Sequence, residues 1–142
     1  MPLITAAEAR RRFSDARVAR LATVRADGRP HLVPIVFAVE GDVIHSIADP
    51  KPKRGLDLLR HRNLAAHPAA SLLVDVYDES WDQLWWARAD GIGRVVAEGA
   101  ERETALRLLR AKYPQYAAWD VPFGAATLIE VRRWSGWELA ER

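Results

Sequence analysis

The sequence contains no cysteine, and that absence alone removes disulfides, thiolate metal sites and a thiol nucleophile. It also lacks any apolar run near the ~20 residues that a membrane-spanning helix needs. The opening "MPLITAAEARRRF" carries no apolar block behind its basic residues, so it does not read as a secretory signal and a cytoplasmic protein is the expectation. An excess of one charge is missing too. Lys and Arg number 21 against 19 acids, for a net charge of +2, which is not the balance of a chain that holds nucleic acid over its whole surface. Without an internal repeat, a low-complexity stretch or a linker, residues 1–142 are expected to form one domain.

Several kinds of chemistry are excluded by spacing. His31, His45, His61 and His67 share no element with carboxylates at metal-ligand intervals, so no metal site is expected and structural roles are the default. Ser46 and Ser71 lie in apolar, strand-like runs without the glycine pattern of a nucleophile elbow, which argues against a serine hydrolase. Asp75, inside "LLVDVY", fits the solvated side of an alternating strand. No side chain has a context that marks it as an obligatory acid or base.

What is present reads as a sheet with helices around it. Thr5 and Glu8 have capping-box spacing at the head of a helix whose Ala9, Phe13 and Ala16 share a face. From Arg17 to Ile47 the chain reads as three strands, reversed at Asp27-Gly28 and Gly41-Asp42 where positive φ is needed. A helix over Lys53 to Ala66, closed by Pro68, precedes the strand "ASLLVDVY". A long β segment follows, "LWWARADGIGRVVAEG", with Gly91 and Gly93 marking a bulge or bend. Ala100 to Tyr113 is helical, with Leu106, Leu109 and Tyr113 on one stripe, and "AATLIEVRRWSGWELA" ends the chain as a strand or hairpin. This order predicts a mainly antiparallel sheet of about six strands, closed or half closed into a barrel, with helices outside.

Two features invite a functional reading. Residues 47–68, "IADPKPKRGLDLLRHRNLAAHP", carry seven Lys, Arg or His residues against two acids. On a helix starting at Lys53, that residue shares an arc with Leu56, Arg60 and Leu64, so cations would sit beside the apolar face. Pro50 and Pro52 stiffen the approach. The stretch is either an anion cradle or a solvated face. Trp85 and Trp86, as neighbours on a strand, must point to opposite faces. Whichever indole leaves the barrel is an interface residue, a ligand platform, or a ring lying flat under a helix.

The succession "ATVRADGRPHLVPIVFAVEGDVIHSIADPKPK" and "LLRHRNLAAHPAASLLVDVYDESWDQLWWARADGIGRV" resembles the pyridoxamine 5'-phosphate oxidase-like class of split β-barrels. Within that class it is most similar to the branch of coenzyme F420-dependent enzymes, in which "KPK", "NL..HP..SLLVD.Y" and "W..LWW.RADG" recur in this order. The resemblance covers about Val18 to Val96. It implies a homodimer with two sites at the subunit interface, each holding a flavin or deazaflavin. Val33, Pro34 and Ile35 would then line the ring, and His45 and Ser46 would supply small polar contacts. Lys51, Lys53, Arg54 and Arg60 would hold phosphate, and Trp86 would lie against the cofactor.

Two departures from the flavin mononucleotide oxidases bear on the ligand. Apolar residues around Val33 stand where those enzymes carry a phosphate-binding Arg, and their compact Arg-Lys pair is spread out here as "KPKRGLDLLRHR". Spread charge suits an anion longer than one phosphate, such as the phosphodiester and glutamate tail of F420. The resemblance therefore implies an F420-dependent oxidoreductase acting on a small organic acceptor. An FMN oxidoreductase and a non-catalytic F420- or flavin-binding protein are the alternatives.

Overall fold

The computed structural model describes residues 3–49, 58–119 and 122–139. Helix α1 (Ala6–Asp15) starts where expected, the Glu8 amide donating to Thr5 Oγ1 at 3.1 Å. The Glu8 carboxylate does not return to the cap. It accepts from Arg11 at 2.6 and 2.9 Å and from Arg12 at 2.7 Å, and these hydrogen bonds pull its pKa down to about 2. Ala9 and Phe13 are fully buried. Phe13 brings its ring to 5.0 Å from Phe37 and 5.4 Å from Trp134, burial that contributes about 1.5–3 kcal/mol for a side chain of this size.

The strands are β1 (Ala19–Val24), β2 (Pro30–Ile35), β3 (Ala38–Glu40), β4 (Val43–Ile47), β5 (Ala69–Val76), β6 (Trp85–Val96) and β7 (Ala126–Glu138). They form one sheet in the order β2-β1-β5-β6-β7-β4-β3, and every pairing is antiparallel. Its two edge strands, β2 and β3, are joined by only Val36 and Phe37, so the ends of the sheet come back to each other and enclose an open, split barrel. Gly28 and Gly41 take φ of 90° and 61° in the two hairpin turns. A register shift falls between Asp90 and Gly91, where the sequence predicts a bulge, and a Cβ on Gly91 would lie 2.2 Å from the Glu130 carbonyl oxygen.

Seven strands stand where about six were expected, because the run from Pro30 to Glu40 breaks at Val36-Phe37. The backbone there is satisfied by side chains instead of a ladder. Ser46 Oγ donates to the Val36 carbonyl at 3.2 Å, and the Tyr113 hydroxyl accepts the Phe37 amide at 3.1 Å while lying 2.9 Å from its carbonyl. The C-terminal segment is one strand, not a hairpin.

Helix α2 (Leu59–Ala66) packs on β1 and β6. Helices α3 (Ala100–Lys112) and α4 (Pro114–Ala118) cover β3, β4 and β7. Two cores result. Phe13, Leu21, Phe37, Ile44, Leu72 and Ile129 fill the barrel, while Ile47, Leu106, Leu109, Tyr113, Tyr116 and Leu128 lie under α3 and α4. No helix among the described residues is long and apolar enough to cross a membrane.

Candidate functional site

Strand alternation decides which side chains can meet. In β2, His31, Val33 and Ile35 face the barrel interior, opposite Thr23, Leu21 and Ala19 of β1, while Leu32 and Pro34 face out. Over this wall sits α2. Asn63 Nδ2 donates to Thr23 Oγ1 at 3.0 Å, both residues being buried. One position on, Leu64 fills the space left by Gly93, where a Cβ would come within 2.8 Å of it. These two contacts fix the helix, and with it Arg60, one turn before Asn63.

Arg60 Nε is buried and has no hydrogen-bond partner, and the same holds for His31 Nδ1. Burial lowers the pKa of Arg60, while Asp49 and, more weakly, Tyr116 support its charge. Burial also lowers that of His31, followed by the fields of Arg25 and Arg60, so the imidazole is neutral at neutral pH. A guanidinium donor and a neutral imidazole thus lie within electrostatic reach of each other at the barrel mouth with unmet hydrogen-bonding capacity, which is costly unless a ligand or water completes it. An anion with several acceptor oxygens matches that need. The charged groups of a phosphorylated cofactor therefore fit the residues present.

Asp49, just beyond β4, is anchored by the Tyr116 hydroxyl, which donates to its Oδ1. Tyr116 is buried among Tyr113, Trp119 and Phe123, with ring centroids 5.9, 5.3 and 5.1 Å away.

The remaining expected site residues divide among separate places. Lys51, Lys53 and Arg54 lie outside the described residues. Leu58 is extended and α2 begins after it, so the single helical face expected from Lys53 through Leu56 to Arg60 is broken before Arg60. Val33 and Ile35 pack on the barrel core whereas Pro34 is on the other face, so the three do not form one surface. His45 and Ser46 also diverge. Ser46 shares the inward side with Ile44, and His45 turns under α3, where Glu101 and Arg107 act on it and burial lowers its pKa. Trp85 packs inward with the Arg12 guanidinium 5.4 Å from its ring. Trp86 leaves the barrel, beside Trp137 and with the Arg88 guanidinium 5.3 Å from its ring, in a cleft of about 220 Å³ that also involves Leu73 and Tyr77.

A larger concavity of about 550 Å³ lies between the end of α1 and β5. Its three arginines are engaged: Arg11 and Arg12 hold Glu8, Arg12 also holds Glu138, and Arg17 donates to the Lys112 carbonyl. It offers an anion less than the mouth at Arg60 does. Among the described residues no group of three or more acids and histidines is placed to hold a metal ion.

Residue-type reasoning alone misses His31, Asp49 and Tyr116. His31 has a signal in its spacing, since it lies two residues before Val33 on the same strand face. Asp49 and Tyr116 are 67 residues apart and carry none.

The fold is an open, antiparallel split barrel with helices on its outside. A family model described as pyridoxamine 5'-phosphate oxidase matches residues 5–137, and the chain belongs to that family. No curated protein matches. Among solved structures, a conserved hypothetical protein from Mycobacterium tuberculosis is 22% identical with a TM-score of 0.75, covering 95% of this chain and 85% of that one. An FAD-binding protein from Mesorhizobium loti is 21% identical with a TM-score of 0.65, over 98% and 96% of the two chains. A heme binding protein from Mycobacterium smegmatis is 23% identical with a TM-score of 0.66, over 92% of this chain and 53% of that chain.

Proposed function

We propose that this protein is an oxidoreductase that binds coenzyme F420 with its phosphate at the barrel mouth and reduces a small organic acceptor. The observation that carries the reading is the buried, unpartnered Nε of Arg60, held beside the unpartnered Nδ1 of His31 by the Asn63–Thr23 anchor. Lys51, Lys53 and Arg54 supply further cations for the acidic tail in this proposal. Val33 and Ile35 present the apolar wall along which a ring is oriented. When bound, the reduced cofactor supplies a hydride to an electron-poor carbon of the acceptor. The chain's own part is to bind, orient and exclude water, and no side chain is given a proton to carry.

A flavin is the second reading, favoured by the structural likeness to an FAD-binding protein. In either case we propose a homodimer. Support comes from the outer face of the sheet, where Tyr77, 80% exposed, and Leu73, 37% exposed, line the cleft with Trp86 and Trp137, an apolar surface that a second copy would cover.

Fluorescence titration with F420, FMN and FAD, followed by an acceptor screen with the reduced form of whichever binds, tests the function. Micromolar or tighter F420 binding with turnover supports it. Preference for FMN or FAD moves the protein to the second reading, and binding without turnover of any acceptor makes it a carrier.

A further inference from the structure

His31 is joined to Arg60 through a series of neighbours that can be followed one by one. In the ladder between β1 and β2 it stands opposite Thr23, and side chains so opposed on one face lie about 4.5–5.5 Å apart at Cβ. Thr23 Oγ1 accepts from Asn63 Nδ2 at 3.0 Å. Arg60 precedes Asn63 by three residues on α2, a spacing that makes side chains neighbours on a helix surface. At the two ends of this series, His31 Nδ1 and Arg60 Nε are both buried without a hydrogen-bond partner.

We infer that His31 is the second contact for the ligand's phosphate and that its ring takes up a proton as the anion enters, so that affinity for a phosphate-bearing cofactor rises as pH falls. The inference rests on the reading that the phosphate goes to Arg60. A fully ionised phosphodiester offers only acceptors, and the imidazolium, with both ring nitrogens donating, is the form of His31 that matches it. The ligand-free site opposes that form. Burial does so most, followed by the fields of Arg25, just past β1, and Arg60, while Thr23 and Asn63 carry no charge to offset them. A bound phosphate reverses the balance by bringing a charge of opposite sign to the ring. The bound protein then holds the proton at a higher pH than the free protein does, so binding is favoured by acid. The gain begins as pH falls through the bound-state pKa and is complete below the free-state one.

The experiment measures F420 and riboflavin affinity by fluorescence titration from pH 8 to pH 5 at fixed ionic strength, in wild type and in His31→Gln, whose side chain forms hydrogen bonds but cannot charge. Titration of the ligand itself is common to both proteins and cancels in the ratio of their affinities. The expected ratio of wild type to variant for F420 rises about threefold to tenfold as pH falls across this range, and that for riboflavin, which has no phosphate, stays flat. NMR titration of the His31 ring in wild type reads the same effect without a variant: its midpoint moves to higher pH when F420 is bound. Thermal melts check the variant, and if it does not fold the NMR midpoint decides alone. A flat F420 ratio, an equal rise for riboflavin, or a midpoint that F420 leaves in place overturns the inference. Arg60→Met, titrated in the same buffers, keeps the two readings apart. If it still weakens F420 binding, the site reading stands without the inference, and if it binds F420 as wild type does at every pH, both fall together.

Discussion

Replacing Arg60 by Met separates a ligand-binding cation from a structural one, because the two roles predict opposite signs. In the ligand-free chain the guanidinium is largely desolvated and its Nε lacks a partner, a condition that costs about 1–3 kcal/mol for a buried polar group. Met keeps most of the aliphatic stem and removes the desolvated charge, so part of that penalty is recovered. Against it stands the loss of attraction to Asp49. The net expectation for Arg60→Met is stability unchanged or raised by up to about 1 kcal/mol. Ligand binding moves the other way, since a charge-assisted hydrogen bond contributes about 1.5–3 kcal/mol, so the affinity for F420 falls roughly tenfold to 150-fold. Riboflavin affinity stays within about twofold, because no phosphate contact is lost. Urea unfolding of the ligand-free protein and fluorescence titration give both numbers. A loss of more than about 2 kcal/mol in stability with unchanged F420 affinity refutes the argument and makes Arg60 a structural residue.

Asn63→Ala strands the buried Thr23 hydroxyl and is expected to cost about 1–3 kcal/mol by urea unfolding. The double change Asn63→Leu with Thr23→Val leaves no orphan and should recover most of that. Gly91→Ala drives a methyl into the Glu130 carbonyl at the bulge and should cost at least about 2 kcal/mol, against about 1 kcal/mol for Gly28→Ala, which meets open space and only positive φ. Lys112, whose pKa burial lowers to about 8, donates to the Ser14 and Ala16 carbonyls. Between pH 8 and 10.5 the unfolded chain holds that proton and the folded chain does not. Stability relative to Lys112→Met should therefore rise with pH across this window and stay flat below it. A falling difference would show that the carbonyls keep the amine charged.

The features legible in the sequence were those with short-range causes. Thr5 caps a helix because its hydroxyl and the Glu8 amide are three residues apart, and Gly28 and Gly41 reverse the chain because their φ is positive. Strand count failed at Val36-Phe37 for the contrary reason. The run "PHLVPIVFAVE" is continuous in apolar pattern, and what breaks it is the Tyr113 hydroxyl, which reaches the Phe37 backbone from 76 residues away. The start of α2 is a similar case: helical propensity continues back through Leu56, yet the chain is extended at Leu58, and local preference does not register that change.

The same distinction governs the site. Arg60 was legible as a cation near an apolar helix face. Its electrostatic surroundings were not, since Asp49 and Tyr116, which act on it, lie elsewhere in the chain. The division of expected residues between the two sides of the sheet carries a further consequence. His31, Val33 and Ile35 are inside, Pro34 and Trp86 outside, and the two sides meet only where the sheet ends. Strand β2 is such an end, so a ligand held at Arg60 and His31 reaches Pro34 by crossing that edge. Trp86 is three strands further in, at ~4.8 Å per strand a separation of about 14 Å from the β2 edge across the outer face. Within one chain, Trp86 and the Arg60 mouth therefore do not converge on one ring. If Trp86 touches the cofactor, it must be the Trp86 of a second copy, and this ties the proposed cofactor site to the proposed dimer. Trp86→Ala should then weaken F420 binding and dimerisation in parallel, read by titration and sedimentation on the same sample. Weakened F420 binding by a variant that remains fully dimeric, or dissociation with full affinity retained, would separate the two and sink the link.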